Sequence, residues 1–453
     1  MRTNLEFTNH SYSINHLVIT GLSGLEVGKI ALAVSRDFRD GREWAMGRRL
    51  TIVFFDAGGG HRSAAEALKS VLETQRWEVH LLNLQEQLDQ LDLLKKVTGL
   101  RIQDGYNLIL RKGWTRLTPQ LLPVLQAFVR MYHRPTVKML CKYWQENPAD
   151  IVLSVIPHFN RALVESIRKS TPSTAFVTLL TDFADYPPDF WMERESQYLI
   201  CGTDRAELQA YALGHDRNHV FLASGMVMKP KFYQKTAVNR VEERKRLGLN
   251  ASTPTGIVLF GGAGSATMLD IVKRLNASKA DLQLILICGK NQKLLTAVKG
   301  IKTRFPVFAQ GFTQNVDYYM ALADFFIGKP GPGSISEALQ FHLPVIVECN
   351  GRTLPQERYN AQWVTEKRMG IVLNSFRQIN AGVEQLLEPS AFAAFSDQAR
   401  TYNNRALFEI PEFLEEILER NSRATEPASP VGAKTTLEQK SPLIPRLETS
   451  YAK

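Results

Sequence analysis

A glycine-rich turn that ends in a histidine is the first feature of the chain that could support chemistry. It belongs to the segment Phe54–Ala64 and contains Gly58, Gly59 and Gly60, directly before His61. Glycine lets the backbone turn sharply and approach a ligand closely, and the helix expected to follow offers free N–H groups at its N-terminus. Because histidine exchanges a proton near neutral pH, the turn favours a catalytic role for His61. A tight turn with an exposed histidine is the alternative.

A carboxylate, Asp182, stands in a comparable place later in the chain. It follows the apolar run Phe176–Leu180, so it should lie beyond the carboxyl end of a strand, where open α/β sheets bind ligands. A carboxylate there could act as a general base or as a helix cap. Its position alone leaves both interpretations open.

Two further glycine-rich turns lie in the second half of the chain, each between a strand-like and a helix-like segment. Such a turn suits a phosphate group, which binds backbone N–H groups at a helix N-terminus. The first turn contains Gly261, Gly262, Gly264 and Ser265, and the second contains Lys329, Gly331, Pro332, Gly333 and Ser334. The first lacks the G-x-G-x-x-G fingerprint, so a plain structural turn is equally plausible there. In the second, Ser334 and Glu337 also have the spacing of a capping box, which is their structural alternative.

The segment Lys95–Lys142 combines ten Lys and Arg residues and interleaved aromatic residues with a single acid, Asp104. Such a composition next to apolar faces is typical of proteins that lie on an anionic membrane, and the net charge of +10 agrees with an anionic partner. The residues we expect to contact lipid are Arg111, Lys112, Trp114 and Arg116. Nucleic-acid binding and ordinary helices with solvated basic faces are the alternatives. We prefer the lipid interpretation, with no nucleic acid as partner.

Strand-like and helix-like segments alternate from Leu50 to about Leu387, which predicts a parallel, doubly wound α/β fold. A charged segment interrupts the alternation, and the length of 453 residues accommodates two such domains. The expected ranges are an N-terminal extension, either disordered or a mis-assigned start, at 1–49; a first domain at 50–235; a linker at 236–254; a second domain at 255–388; C-terminal helices at 389–421; and a disordered tail at 422–453.

Composition narrows the class of protein further. The four cysteines form no CxxC pair or His/Cys cluster, so zinc binding and thiol redox chemistry have no support. No apolar run approaches the roughly 18 residues of a membrane-spanning helix, and the first 49 residues lack the apolar core of a signal peptide. We therefore expect a cytoplasmic protein, peripheral on the membrane surface.

At these motifs the chain resembles the plant-type monogalactosyldiacylglycerol synthases and, more distantly, the bacterial transferase that adds N-acetylglucosamine to lipid II precursors. The resemblance covers about Leu50 to Leu387, and the motifs occur in the same order. The matching pieces are Asp56–His61, Thr181–Asp182, Ile287–Asn291, Gly311–Phe312, Lys329–Glu337 and Gln356–Glu357. Each piece alone is unspecific, whereas together they are specific for the family.

The resemblance implies an inverting glycosyltransferase of GT-B fold, in which two Rossmann-like domains face a cleft. The second domain would hold a UDP-hexose, with galactose as the first choice, and the first would accept diacylglycerol. No cofactor beyond the donor is implied. Because the donor loops contain no D-x-D motif, we also expect no essential metal ion.

The family's functional residues can be carried over position by position. The diphosphate would be held by Gly261–Ser265 and Lys329–Ser334, the ribose by Glu337, and the hexose by Gln356 and Glu357. The donor site would also include Gly289, Asn291 and Phe312, and the acceptor side would include Pro157 with Gly58, Gly59 and Gly60. His61 and Asp182 would serve the acceptor hydroxyl.

An inverting transfer needs a base that removes the proton of the attacking hydroxyl. His61, with an ordinary pKa of about 6.5, is the first choice, and Asp182 would orient its imidazole. The reverse order of roles is the alternative.

The chain also departs from the plant pattern. Ile156 stands where those enzymes have a histidine, and Ala184–Pro187 replaces a Ser-Thr-Cys-His-Pro run. The competing functions are a GT-B enzyme with another acceptor, a UDP-sugar epimerase and a non-catalytic binding protein.

Overall fold

The computed structural model describes residues 48–56, 59–88, 118–234 and 238–425. Within these ranges the chain forms two six-stranded sheets in which all neighbouring strands are parallel. We call the part that contains the first sheet the first lobe and the part that contains the second sheet the second lobe.

The first lobe alternates strands and helices. Its strands are β1 (Arg48–Phe54), β2 (Trp77–Asn83), β3 (Ile151–Ser154), β4 (Ala175–Leu179), β5 (Tyr198–Cys201) and β6 (Val220–Leu222), and its helices are α1 (Gly60–Leu72), α2 (Leu84–Leu88), α3 (Thr118–Glu146), α4 (Asn160–Ser170) and α5 (Asp204–Leu213). The order of strands is β2-β1-β3-β4-β5-β6. Chain order reverses beside β1, which is the point where such sheets bind ligands.

A short helix, α6 (Arg240–Arg246), precedes the second lobe, which repeats the plan. Its strands are β7 (Thr255–Leu259), β8 (Gln283–Ile287), β9 (Val307–Gln310), β10 (Phe325–Gly328), β11 (Val345–Glu348) and β12 (Gly370–Leu373), and its helices are α7 (Thr267–Ala277), α8 (Gln292–Lys299), α9 (Val316–Ala321), α10 (Pro332–Gln340), α11 (Pro355–Glu366), α12 (Ile379–Leu387) and α13 (Pro389–Arg400). The strand order is β12-β11-β10-β7-β8-β9.

The sequence explains why these strands form parallel sheets. Every residue of β3, β4, β7, β8 and β10 is buried, as expected for strands covered by helices on both faces. The helices bury one face only. In α1, Ala64, Leu68 and Leu72 recur at helical spacing and are buried, which gives the helix an apolar side that packs on the sheet.

The last helix, α14 (Ala406–Thr425), returns to the first lobe. Its residues Leu407, Ile410 and Leu414 share one apolar core with Leu68 of α1 and Leu153 of β3. The chain therefore passes between the lobes twice, once between β6 and β7 and once between α13 and α14.

The two sheets confirm the predicted fold class. The strands β6 and β12 were not predicted: β6 has only three residues, and only two of the four residues of β12 are buried. The predicted linker contains α6, whose Arg244 is buried and pairs with Asp324 at 2.7 Å, so part of it packs on the second lobe. The other predicted domain boundaries stay predictions. Residues 1–47 and 426–453 lie outside the described residues, and none of the described helices has the length and apolar character to span a bilayer.

Candidate active site

His61 lies in the first turn of α1, just beyond the carboxyl end of β1. Gly59 caps this helix with a left-handed φ of 84°, a conformation that glycine adopts without strain. A Cβ atom on Gly59 or Gly60 would meet nothing within 4 Å, so the space above the helix N-terminus is open. The third glycine of the predicted turn, Gly58, lies outside the described residues.

The imidazole of His61 is half-buried beside Trp191. Its Nδ1 is buried and has no hydrogen-bond partner among the residues described, and its ring lies edge-on to Trp191 with 6.0 Å between the ring centroids. Burial disfavours the charged imidazolium and lowers the pKa of His61 to about 4. The side chain is therefore neutral at pH 7, as expected from the sequence, but it is a much weaker base than an ordinary histidine.

Asp182 follows β4 and is only 8% exposed. Burial is the main reason why its pKa is raised, to about 7, and the nearby Glu357 carboxylate acts in the same direction. A hydrogen bond from Trp191 Nε1 to Asp182 Oδ2, 3.1 Å long, lowers the pKa in part, as do the Lys329 ammonium and the Asn360 amide. Asp182 therefore exchanges its proton close to neutral pH.

Trp191 stands between the two predicted catalytic residues. Its indole N–H donates to Asp182 and its ring meets His61, whereas no hydrogen bond joins His61 to Asp182 in the part of the chain described. The orienting bond that the sequence suggested between this pair is thus not present in the structure. Trp191 is a site residue that the sequence analysis missed, since no motif marks it.

Asn360 joins this loop of the first lobe to the second lobe. Its Oδ1 accepts the Phe183 N–H at 3.3 Å, and its Nδ2 donates to the Pro330 carbonyl at 2.9 Å. Asn360 is fully buried. It was also missed, although it lies one helical turn after Gln356 in α11, on the side of the predicted Gln-Glu pair.

Lys329 and Glu357 come together in the second lobe, opposite Asp182. Lys329 follows β10, and its Nζ lies 2.5 Å from Oε1 of Glu357. Glu357 is nearly buried, whereas the Lys329 side chain is 43% exposed. Gln356 lies beside Glu357 in the first turn of α11 and is half-buried. The cleft therefore has a cation on its second-lobe wall that solvent and an anion can reach.

The helix after this turn starts earlier than the sequence suggested. It begins at Pro332 with Gly331 as its N-cap, and no side chain caps it. Proline is favoured at the first helical position because its missing N–H and fixed φ suit the start of a helix. Ser334 is therefore the third helical residue, and the alternative interpretation of Ser334 and Glu337 as a capping box is wrong. A Cβ atom on Gly333 would meet nothing within 4 Å, so the turn presents open backbone.

Glu337 faces the connection between the lobes. Burial raises its pKa to about 7, while Lys231 and Lys229 act in the opposite direction. Lys231 itself pairs with Asp317 of α9, with 2.7 Å between Nζ and Oδ1. Glu337 is thus a half-buried carboxylate beside two lysines of the segment between β6 and β7.

The glycines after β7 and β8 fall into two groups. A Cβ on Gly264 would lie 2.3 Å from the Cys288 carbonyl oxygen, and a Cβ on Gly289 would lie 2.3 Å from that of Gly262. These two positions require glycine because the two loops touch. Gly261 and Gly262 have open space where a Cβ would stand, so their backbone is accessible to a ligand.

The other predicted donor residues have diverse surroundings. Ser265 bonds to Thr267 at the start of α7, with 3.0 Å between the hydroxyl oxygens. Asn291 caps α8, since its Oδ1 accepts the Leu294 N–H at 2.9 Å. Phe312 is 53% exposed, and the Lys290 ammonium lies 5.4 Å from its ring centroid, a cation–π contact.

The predicted acceptor residue Pro157 has aromatic neighbours in the chain. Pro157 is buried after β3, and the next residue, His158, has a left-handed φ of 70° and packs its ring 4.3 Å from that of Phe190. Burial lowers the pKa of His158 to about 4. Phe55 and Phe159, which follow β1 and β3, form an edge-to-face pair at 5.4 Å.

Only part of the predicted membrane segment is described. Arg111, Lys112, Trp114 and Arg116 lie outside the described residues. In α3, the exposed side chains Arg134, Lys138 and Lys142 recur every four residues, which places them along one helix face. This basic face is consistent with the composition noted in the sequence.

Residues 257–411 match the glycosyltransferase family 28 C-terminal domain. The chain is 26% identical over 367 residues to the chloroplastic monogalactosyldiacylglycerol synthase of Spinacia oleracea, covering 76% of this chain and 67% of that protein. It is 25% identical over 398 residues to monogalactosyldiacylglycerol synthase 1 of Arabidopsis thaliana, covering 83% and 72% respectively.

Solved structures show the same fold at lower identity. MurG of Acinetobacter baumannii superposes with a TM-score of 0.55 and 10% identity, over 82% of this chain and 99% of that one. The UDP complex of S. aureus MnaA superposes with a TM-score of 0.53 and 12% identity, over 85% and 100%. The predicted GT-B fold is therefore confirmed. The chain is a glycosyltransferase in which residues 257–411 match the family 28 C-terminal domain, and it resembles the monogalactosyldiacylglycerol synthases along most of its length.

Proposed function

We propose that this protein is an inverting glycosyltransferase that moves a hexose, with galactose as the first choice, from a UDP-hexose to diacylglycerol. The observation that carries the proposal is the position of Asp182. It is a buried carboxylate with a pKa raised to about 7, and it faces the Lys329–Glu357 pair across the cleft. A proton acceptor on one wall and an anion-binding cation on the other are what sugar transfer from a nucleotide requires.

The donor belongs on the second lobe. The open backbone at Gly261, Gly262 and Gly333 and the helix N-terminus at Pro332 can bind phosphate oxygens. The partly exposed Lys329 ammonium supplies a charge that stabilises the leaving diphosphate. Glu357 and Gln356 would then contact the hexose, and the exposed Phe312 ring and Asn291 lie on the loops expected to surround the nucleotide.

In the transfer step, the acceptor oxygen forms a bond to the anomeric carbon while the bond from that carbon to the diphosphate oxygen breaks. The electron pair of the broken bond leaves with UDP, and the proton of the attacking hydroxyl goes to a base on the first lobe. We assign this base to Asp182, because a group with a pKa near 7 accepts the proton far more readily than His61 with a pKa near 4. His61 would position the acceptor beside this base.

A lipid acceptor is supported by the surroundings of these groups. The aromatic pair Phe55–Phe159 follows β1 and β3, on the side of the first sheet where their carboxyl ends lie, and acyl-glycerol chains would pack there. The basic face of Arg134, Lys138 and Lys142 suits peripheral docking on an anionic membrane. The related proteins named above are synthases of a galactosyl diacylglycerol.

The test is turnover on vesicles that contain diacylglycerol and anionic lipid, with UDP-galactose and UDP-glucose in separate reactions. We expect UDP release together with a monohexosyl diacylglycerol, and we expect Asp182→Asn to abolish both. Interconversion of the UDP-sugar without a lipid product would instead indicate an epimerase. Binding of UDP-sugar without turnover would indicate a binding protein.

A further inference from the structure

The turn that carries Trp191 is held by one buried carboxylate, Asp185. Asp185 Oδ1 accepts the backbone N–H groups of Trp191 at 2.7 Å and Phe190 at 3.0 Å, and Oδ2 accepts that of Asp189 at 3.1 Å. The residue is only 2% exposed. Three consecutive donors on a single side chain fix the path of the backbone at this turn.

The main chain of Asp185 is itself fixed to the framework of the first lobe. Its N–H donates to Gln209 Oε1 at 2.9 Å, and Gln209 Nε2 donates to the Asp185 carbonyl at 2.9 Å. Gln209 belongs to α5, which packs on β5 and β6. Asp185 therefore connects a rigid helix to a turn that has no regular secondary structure.

That turn carries two buried aromatic rings. The indole N–H of Trp191 donates to Asp182, and the ring contacts His61. The preceding Phe190 contacts His158 and accepts its N–H at 2.9 Å. A small displacement of the turn would move the indole N–H away from the Asp182 carboxylate, since the bond is already 3.1 Å long.

We propose that Asp185 is a positioning residue, which acts through Trp191 on the base Asp182; the proposal rests on the function proposed above. Asparagine could not replace it, because the amide has one acceptor oxygen for three donors and its NH2 group would face an N–H. The charged and polar groups that face Asp182 are Glu357, Lys329, Trp191 and Asn360. Of these, only the Trp191 contact depends on Asp185.

The rate of transfer should report this dependence. The Trp191 hydrogen bond favours the ionised form of Asp182, so its loss raises the pKa of the base. A hydrogen bond to a charged group corresponds to about one pH unit in the midpoint of the rate profile. In Asp185→Asn, kcat at pH 7 should therefore fall about fivefold, with the loss recovered at higher pH.

The experiment measures kcat from pH 5.5 to 9 for the wild type, Asp185→Asn, Trp191→Phe and the double variant. We expect both single variants to move the midpoint upward, and the double variant to move it no further than Trp191→Phe alone. The matched control is Asp216→Asn, since Asp216 is an exposed carboxylate of the same lobe that also accepts a backbone N–H. An unmoved midpoint in Asp185→Asn, or additive shifts in the double variant, would overturn the proposal.

If Asp185→Asn does not fold, Gln209→Met takes its place, because it releases the main chain of Asp185 while keeping the carboxylate. The same upward shift is expected, and an unmoved midpoint overturns the proposal.

A wild type that transfers sugar to no acceptor would refute the proposed function instead. The positioning role is then tested by urea unfolding of the same four proteins. Non-additive losses of stability for Asp185→Asn and Trp191→Phe support it, and additive losses overturn it.

Discussion

The Asp182→Asn substitution should remove activity and increase stability at neutral and alkaline pH. Asp182 is buried and lies near a second carboxylate, Glu357. Its ionised form is therefore costly to the folded state, and a neutral asparagine avoids this cost. The asparagine oxygen can still accept the hydrogen bond from Trp191 Nε1, so the packing of the loop should be kept.

The size of the effect follows from two pKa values. An aspartate titrates near 3.9 in the unfolded chain, whereas Asp182 titrates at about 7 in the folded protein. Between these values the folded state binds more protons than the unfolded state, so this group reduces the free energy of unfolding as the pH rises from about 4 to 7. The separation of the two pKa values corresponds to roughly 4 kcal/mol, reached above pH 7. At pH 5 the effect should be less than half as large.

The assay is urea unfolding at pH 5 and pH 8 of the wild type, Asp182→Asn and Asp281→Asn, an exposed aspartate that serves as the matched control. Asp182→Asn should gain stability mainly at pH 8, whereas the control should be unchanged at both values. In parallel, kcat of Asp182→Asn should fall at least about a hundredfold with UDP affinity retained. A variant that is less stable than the wild type at pH 8, or that keeps its turnover, would refute the reasoning.

Four further outcomes follow from the same geometry. With Asp182 as base, kcat should rise through about pH 7 and then level off. The His61→Ala variant should turn over more slowly but keep the same midpoint. A flat profile from pH 5.5 to 8.5 would return the role of base to His61. Calorimetric titration should show that UDP binds in the presence of EDTA. The Lys329→Ala substitution should weaken UDP binding at least about tenfold, as expected for a charge-assisted contact. Complete loss of UDP binding on chelation would contradict the metal-free site. Gly264→Ala should destabilise the protein by about 1–3 kcal/mol in urea, because its φ is 66° and a Cβ would meet a carbonyl oxygen, whereas Gly262→Ala should fold normally and lose UDP affinity. Lys138→Glu should reduce co-sedimentation with anionic vesicles at low salt by up to about tenfold, and equal binding to neutral vesicles would argue against the basic face.

Much of the fold was predictable because its signals are local. Runs such as Ile151–Ser154 and Gln283–Ile287 are continuously apolar or buried, and helical periodicity separates them, so a doubly wound fold follows. The strands β6 and β12 carry a weaker signal of their own, because only two residues of each are buried. The helix α10 begins at Pro332 and not at Ser334, because proline is favoured at the first position of a helix.

The positions of the candidate site residues were predictable, but their electrostatics were not. His61 was expected to behave as an ordinary histidine, yet its pKa depends on burial against Trp191, which lies far along the chain. The pKa of Asp182 depends likewise on Glu357 from the other lobe. A sequence motif gives the residue type and its place at the edge of a sheet. The environment that sets the basicity of the residue is supplied by segments distant in sequence.

Asn360 shows why such a site cannot be assembled from the motifs of each lobe alone. Its Oδ1 accepts the N–H of Phe183, which follows Asp182 in the first lobe, and its Nδ2 donates to the Pro330 carbonyl in the second lobe. An amide is suited to this place because it is donor and acceptor at once, whereas a carboxylate could not donate to the carbonyl. Since a buried polar group without its partner costs about 1–3 kcal/mol, each lobe satisfies this residue only when the other is in place. The distance between Asp182 and Lys329 therefore depends on an interaction that neither lobe's sequence pattern contains.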